Sequence, residues 1–129
     1  MPNSAGRAFK ILVIDDDELI RITFRNFLKK AGYAVIEAEN GNAGIALFKK
    51  ERPDIVITDL LMPEKEGLET ISEIRALDPK IKTIAMSGGG SSQNMVFLKL
   101  ALLLGANHTL QKPIKPGEVL AAVKGLLPQ

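Results

Sequence analysis

Cysteine and tryptophan are absent from the 129 residues, and tyrosine and histidine each occur once. Without a thiol, a disulfide framework, a thiolate metal site and a cysteine nucleophile are all excluded. The lone His108 stands in no catalytic motif. Five Phe and one Tyr offer few stacking platforms. The formal charge of +2 arises from scattered cations (Lys29, Lys30, Lys49, Lys50, Arg52, Lys80, Lys82), not from one basic element. Direct nucleic-acid binding is therefore not expected. No run approaches the roughly 18 consecutive apolar residues of a membrane span. The first ten residues are short and polar, unlike a secretory signal. The expected location is cytoplasmic.

What is present is an ordinary globular composition, 46% hydrophobic and 25% charged, in a chain long enough for one domain with its own core. Short β-rich runs occur at residues 10–15, 33–38, 54–59, 81–87 and 107–111. Helical patterns lie between and after them, at 18–31, 41–50, 67–77, 92–105 and 116–127. Gly32, Pro53, Asp78-Pro79 and Gly105 punctuate these segments where turns are needed. KILVID and DIVITD read as strands buried on both faces, as parallel sheets require. Five strands alternating with five helices predict a doubly wound α/β domain over residues 10–127, preceded by a flexible tail, 1–9.

In such sheets, reactive groups gather beyond the carboxyl ends of the strands. Here those ends carry Asp15-Asp16-Asp17, Asp59, Ser87 and Lys112. If the first and third strands are neighbours, several carboxylates, a hydroxyl and an ammonium share one rim. Crowded carboxylates repel unless protonated or paired with a cation. A hard divalent cation with oxygen ligands, Mg2+ above all, answers that need. Such an ion neutralises charge in phosphoryl transfer, with Lys112 and Ser87 as further electrostatic and hydrogen-bonding support. Asp59 stands alone at its strand end and is the candidate nucleophile, while Asp15 and Asp16 form a pair suited to metal. Asp17 reads as a helix N-cap.

ILVIDDDELIR, DIVITDLLMPEKEGLE, IAMSGGGSS and LQKPI resemble, in order and interval, the four signatures of two-component response-regulator receiver domains, chemotaxis regulators included. The resemblance runs from Lys10 to Leu127. It implies a flavodoxin-like fold with a five-stranded parallel sheet, order 2-1-3-4-5, and helices on both faces. It implies phosphorylation on Asp59, taken from a histidine kinase or phosphotransfer protein, with Mg2+ bound directly by Asp16, through water by Asp15, and also by Asp59 and the Leu61 backbone carbonyl. Ser87 and Lys112 match the family's hydroxyl and lysine positions, and the Lys112-Pro113 peptide is expected to be cis. Beyond its own phosphorylation and dephosphorylation, no enzymatic activity is implied.

Three departures stand out. Thr109 occupies the switch position where the family usually has an aromatic, which questions its coupling to Ser87. The interval from Ser87 to Lys112 is a few residues longer than the family's usual one. The fourth helix is apolar nearly all round from Met95 to Leu104, so it either presents a dimerisation or target-docking surface or reaches deeper into the core than usual. Leu61 and Gly89, which cannot orient water, suggest slow phosphoryl loss. The glycines at 88–90 read as room for movement beside Ser87. Two other readings compete: a degenerate receiver used only for interaction, and an aspartate-nucleophile phosphatase. The phosphatase wants a further acidic metal motif after Lys112, where only Glu118 occurs.

Overall fold

The computed structural model describes residues 7–61, 67–88 and 92–128, without the side chains of 92–94. Strands and helices alternate: β1 (Lys10–Ile14), α1 (Glu18–Lys30), β2 (Ala34–Ala38), α2 (Gly41–Glu51), β3 (Ile55–Asp59), α3 (Gly67–Leu77), β4 (Lys82–Gly88), α4 (Ser92–Leu103), β5 (His108–Lys112) and α5 (Pro116–Leu126). All pairings are parallel and the sheet order is 2-1-3-4-5, as expected. Among the described residues, no helix is long and apolar enough to cross a membrane.

The alternation of side chains along a strand explains why Ile11–Ile14 of β1 and Ile55–Ile57 of β3 are apolar without a break. From β1, Ile11 and Val13 face Phe24 and Leu28 of α1 and Val119 and Val123 of α5. Leu12 and Ile14 face the other way, onto Ile45 and Phe48 of α2 and Ile74 of α3. β3 divides likewise, with Ile55 and Ile57 on the first side and Val56 on the second. A third cluster joins Leu60, Ile71 and Ala85 to Leu98 and Ala101 of α4. Each fully buried Phe or Leu contributes about 2–3 kcal/mol of apolar transfer, so both layers are needed.

The helix ends follow local chemistry. Asp17 caps α1, its carboxylate accepting from the Leu19 N–H, and Asn40 caps α2 by accepting from Ala43. Gly105, with φ +111°, takes the left-handed conformation that ends α4 and lets β5 begin. Phe9 is already buried in the first core layer, and its carbonyl accepts from Ala34 N–H, so packing starts one residue before β1. Residues 62–66 and 89–91, which include Met62-Pro63 and Gly89, lie outside the described residues.

Candidate functional site

Parallel pairing puts the ends of β1, β3, β4 and β5 on one rim, and the acids meet there. Asp15 follows β1 and is fully buried; Asp59 ends β3 and is 5% exposed. Asp16 is exposed. One carboxylate oxygen from each of Asp15, Asp16 and Asp59 falls within 4.8 Å of the others. Lys112, the last residue of β5, reaches across from a third strand tip. Its Nζ donates to Asp15 Oδ2 at 3.0 Å and to Asp59 Oδ2 at 3.3 Å.

Local bonding fixes these side chains. Asp15 Oδ1 accepts from the Asp17 N–H at 2.9 Å, and the Asp15 N–H donates to the Ala38 carbonyl at 3.1 Å. Arg21 of α1 donates to the Asp15 carbonyl at 2.8 Å, while Glu37 of β2 lies 3.7 Å from Arg21 Nε and accepts from Arg25 at 3.0 Å. Beyond Asp59 the chain turns tightly. The Leu61 N–H donates to the Asp59 carboxylate, and the Gly67 N–H donates to the Leu60 carbonyl at 3.0 Å. A Cβ on Gly67 would collide with the Asp59 carbonyl oxygen and with the Leu60 backbone, so only glycine lets α3 start this close to the acid. The Lys112-Pro113 peptide is cis.

The electrostatics are those of a site short of positive charge. Burial, then the neighbouring Asp15, pushes Asp59 up to about 6. Burial likewise raises Asp15, against the pull of the Asp17 N–H and Lys112. Burial pulls Lys112 down, but Asp59 and Asp15 outweigh it and leave the ammonium above its usual range. Among the described residues, one lysine thus faces two buried acids and a third at the surface. Ser87 lies fully buried near the end of β4, and its Oγ has no hydrogen-bond partner among the described residues. An all-oxygen donor set with excess negative charge fits a hard divalent cation, and the orphaned hydroxyl fits an oxygen-rich ligand beside it.

The rim therefore unites Asp15, Asp16, Asp59 and Lys112, with Ser87 buried on the neighbouring strand. Asp17 is the cap it was expected to be. Thr109 instead lines the groove between α4 and α5, and His108 is exposed at the start of β5. Glu118 is an exposed α5 residue 3.9 Å from Lys115, which leaves the phosphatase reading without its second acidic motif. On α4, Leu98 and Ala101 are buried whereas Val96, Leu102 and Leu103 are exposed, so the helix does not sink deeper into the core. Arg21 and Glu37 were not singled out in the sequence. An arginine six residues after Asp15, one helical turn inside α1, is the signal that could have found the first.

Known proteins agree with this geometry. The chain matches the family model of the response regulator receiver domain over residues 11–124. It is 37% identical over 115 residues to the chemotaxis protein CheY of Thermotoga maritima, covering 88% of this chain and 93% of that protein. It is 34% identical over 119 residues to sporulation initiation phosphotransferase F of Bacillus subtilis, covering 92% and 94%. The structure of chemotaxis protein CheY4 of Vibrio cholerae superposes with a TM-score of 0.84 at 27% identity, over 93% of this chain and 99% of that one. A CheY-like receiver domain from Methanospirillum hungatei gives 0.83 at 30% identity, over 92% of both. With acids, lysine and hydroxyl assembled on the rim of this sheet, the chain belongs to the response regulator receiver domains, the phosphoacceptor modules of two-component signalling.

Proposed function

We propose that Asp59 is the phosphoacceptor and that the other rim residues serve its reaction. An oxygen of the Asp59 carboxylate attacks the phosphorus of a phosphohistidine on a histidine kinase or phosphotransfer protein. The new O–P bond forms as the P–N bond breaks, and the departing imidazole takes up a proton. With a pKa of about 6, Asp59 is mostly ionised at neutral pH and is competent as a nucleophile. Lys112 offers its ammonium to an oxygen of the incoming phosphoryl group, and the unpartnered Ser87 hydroxyl offers a hydrogen bond. Asp15, Asp16, Asp59 and the Leu61 carbonyl would hold Mg2+, which when bound supplies the charge neutralisation that the acids and phosphoryl oxygens require. The observation that carries this reading is Lys112 spanning two buried carboxylates from different strand tips.

Residues 10–127 form the receiver unit, with Phe9 as its first packed residue. It acts in the cytoplasm, catalyses only its own phosphorylation and dephosphorylation, and signals by changing shape. The apolar surface of α4 between Met95 and Leu104 docks a target or a second copy. Incubation with acetyl phosphate and Mg2+, followed by intact mass measurement, tests the central assignment. The wild type should gain one phosphoryl group and Asp59→Ala none. Labelling that persists in Asp59→Ala overturns it.

A further inference from the structure

We propose that the end of the domain opposite the acids is a docking surface for a bilayer that bears anionic headgroups. This role is separate from the reaction at Asp59. Cations that are scattered in sequence are gathered by the fold, because parallel strands all begin, and the helices joining them all end, at one end of the sheet. Lys29 and Lys30 close α1, and Lys49 and Lys50 close α2. Arg52 follows α2 in the left-handed conformation, its guanidinium 5.6 Å from the centre of the Phe48 ring. Lys80 lies in the turn after α3, and Lys82 opens β4 beside Ile55, the first residue of β3. All seven are exposed, and among the described residues none of them stands in a salt bridge.

Acids do not balance them. Glu51 is held by Lys10 at 3.0 Å, Asp54 accepts from the Lys10 N–H at 2.8 Å, and Asp78 accepts from the Lys80 N–H at 3.0 Å. With Lys10 counted, eight cations face these three acids, a net charge of +5 in a chain whose total is +2, so the remainder, reactive rim included, carries −3. Lysines in the last turn of a helix commonly answer the helix dipole. That accounts for the pairs on α1 and α2, but not for Arg52, Lys80 or Lys82, which lie outside the helices.

Two features select a bilayer among polyanions. α1 packs on one face of the sheet and α2 and α3 on the other, so the cations spread over a broad end. They do not line one helix or strand that a nucleic-acid groove could admit. None of the six aromatic rings is exposed, which leaves no platform for stacked bases. A plane of anionic headgroups needs neither device, since it attracts exposed lysines by charge alone. Docked this way, the domain points its acid rim away from the bilayer and leaves it open to the phosphoryl donor.

The test is co-sedimentation of the full chain with phosphatidylcholine vesicles that contain, or lack, roughly 30% phosphatidylglycerol. Binding should require the anionic lipid and fade as salt rises from about 0.1 M to about 0.5 M. One lysine near such a surface contributes a factor of about five, so Lys29→Gln with Lys30→Gln should weaken partitioning about 25-fold, and Lys49→Gln with Lys50→Gln should do the same. Lys99→Gln with Lys115→Gln removes equal charge from exposed positions on α4 and before α5, and should bind like the wild type. Thermal melts verify that each double variant folds. Absence of binding to the anionic vesicles at the lower salt overturns the proposal, as does equal binding to both kinds of vesicle. An equal loss in the Lys99 and Lys115 variant also overturns it, by reducing the effect to net charge. So does displacement from the vesicles by random-sequence DNA duplex at matched phosphate concentration, which would make this end a nucleic-acid surface.

Discussion

The Lys112 ammonium lies 3.3 Å from Asp59 Oδ2 across 53 residues of sequence, and the same nitrogen is closer still to Asp15. Among the described residues, a single cation is shared between two acids that are each pushed towards protonation. The behaviour of the metal-free domain follows from that shortage.

The pH dependence of stability is one consequence. The Asp59 pKa rises from 3.8 to about 6 on folding, so the folded state binds more protons than the unfolded state between those values. Its contribution must therefore weaken as pH rises through that window, by on the order of 3 kcal/mol. In EDTA, Asp59→Asn should melt higher than the wild type at pH 7, and the gap should close near pH 4. Thermal melts across that range check it; a gap that is the same at both ends would refute the assignment.

Removing the shared cation should be worse than removing an acid. Lys112→Met leaves two buried carboxylates facing each other, so Tm at pH 7 should fall and partly recover on acidification. Labelling by acetyl phosphate should slow on the order of 100-fold. An unchanged labelling rate would exclude Lys112 from the reaction.

Divalent metal should stabilise the fold through Asp16. Mg2+ at a hundred times its Kd should add about 2.7 kcal/mol to the wild type. Asp16 is exposed, so Asp16→Ala should change the metal-free stability by no more than about 0.5 kcal/mol while abolishing most of the Mg2+ effect. Differential scanning with and without Mg2+ separates the two effects.

Gly67 is expected to be intolerant. The atoms that an added methyl group would meet are the backbone of Asp59 and Leu60, which cannot swing aside as a side chain could. Gly67→Ala should cost roughly 1–3 kcal/mol and reduce labelling of Asp59 by shifting the turn. A normally labelled, equally stable variant would mean that the turn is looser than it stands here.

Arg21 should matter to metal affinity without touching the metal. Its bond to the Asp15 carbonyl holds the turn that carries two of the acids. Arg21→Ala should weaken Mg2+ binding about tenfold or more, as loss of an orienting partner does at metal sites. Arg21→Lys should restore part of the affinity. Calorimetric titration with Mg2+ measures both.

The apolar strands and the punctuated helices were legible because local rules and global fold agree there. Ile11–Ile14 and Ile55–Ile57 are apolar without interruption because each strand feeds two cores, and the caps at Asp17 and Asn40 obey local geometry. Boundaries moved by a residue where side-chain chemistry intervened: Asp15 leaves the strand pattern to accept from Asp17, while Lys112 remains in β5. The meeting of Lys112 with acids 53 and 97 residues away was expected from the rule that reactive groups gather at strand ends and from the family resemblance, since no local pattern encodes it. The Arg21–Glu37 support was missed for the same reason, joining a helix to a neighbouring strand. On α4, composition announced an unusual surface, but only the packed structure separates the buried Leu98 from the exposed Leu103.

Parallel strands also give the molecule two dissimilar ends. Opposite the acids, Lys10 pairs with Glu51, the Lys10 N–H donates to Asp54, and Arg75 ties down the Pro79 and Ile81 carbonyls. None of these contacts reaches the reactive rim. A fluorophore or tether grafted at the exposed turn around Lys80 would consequently report on the domain as a silent handle, leaving its chemistry undisturbed.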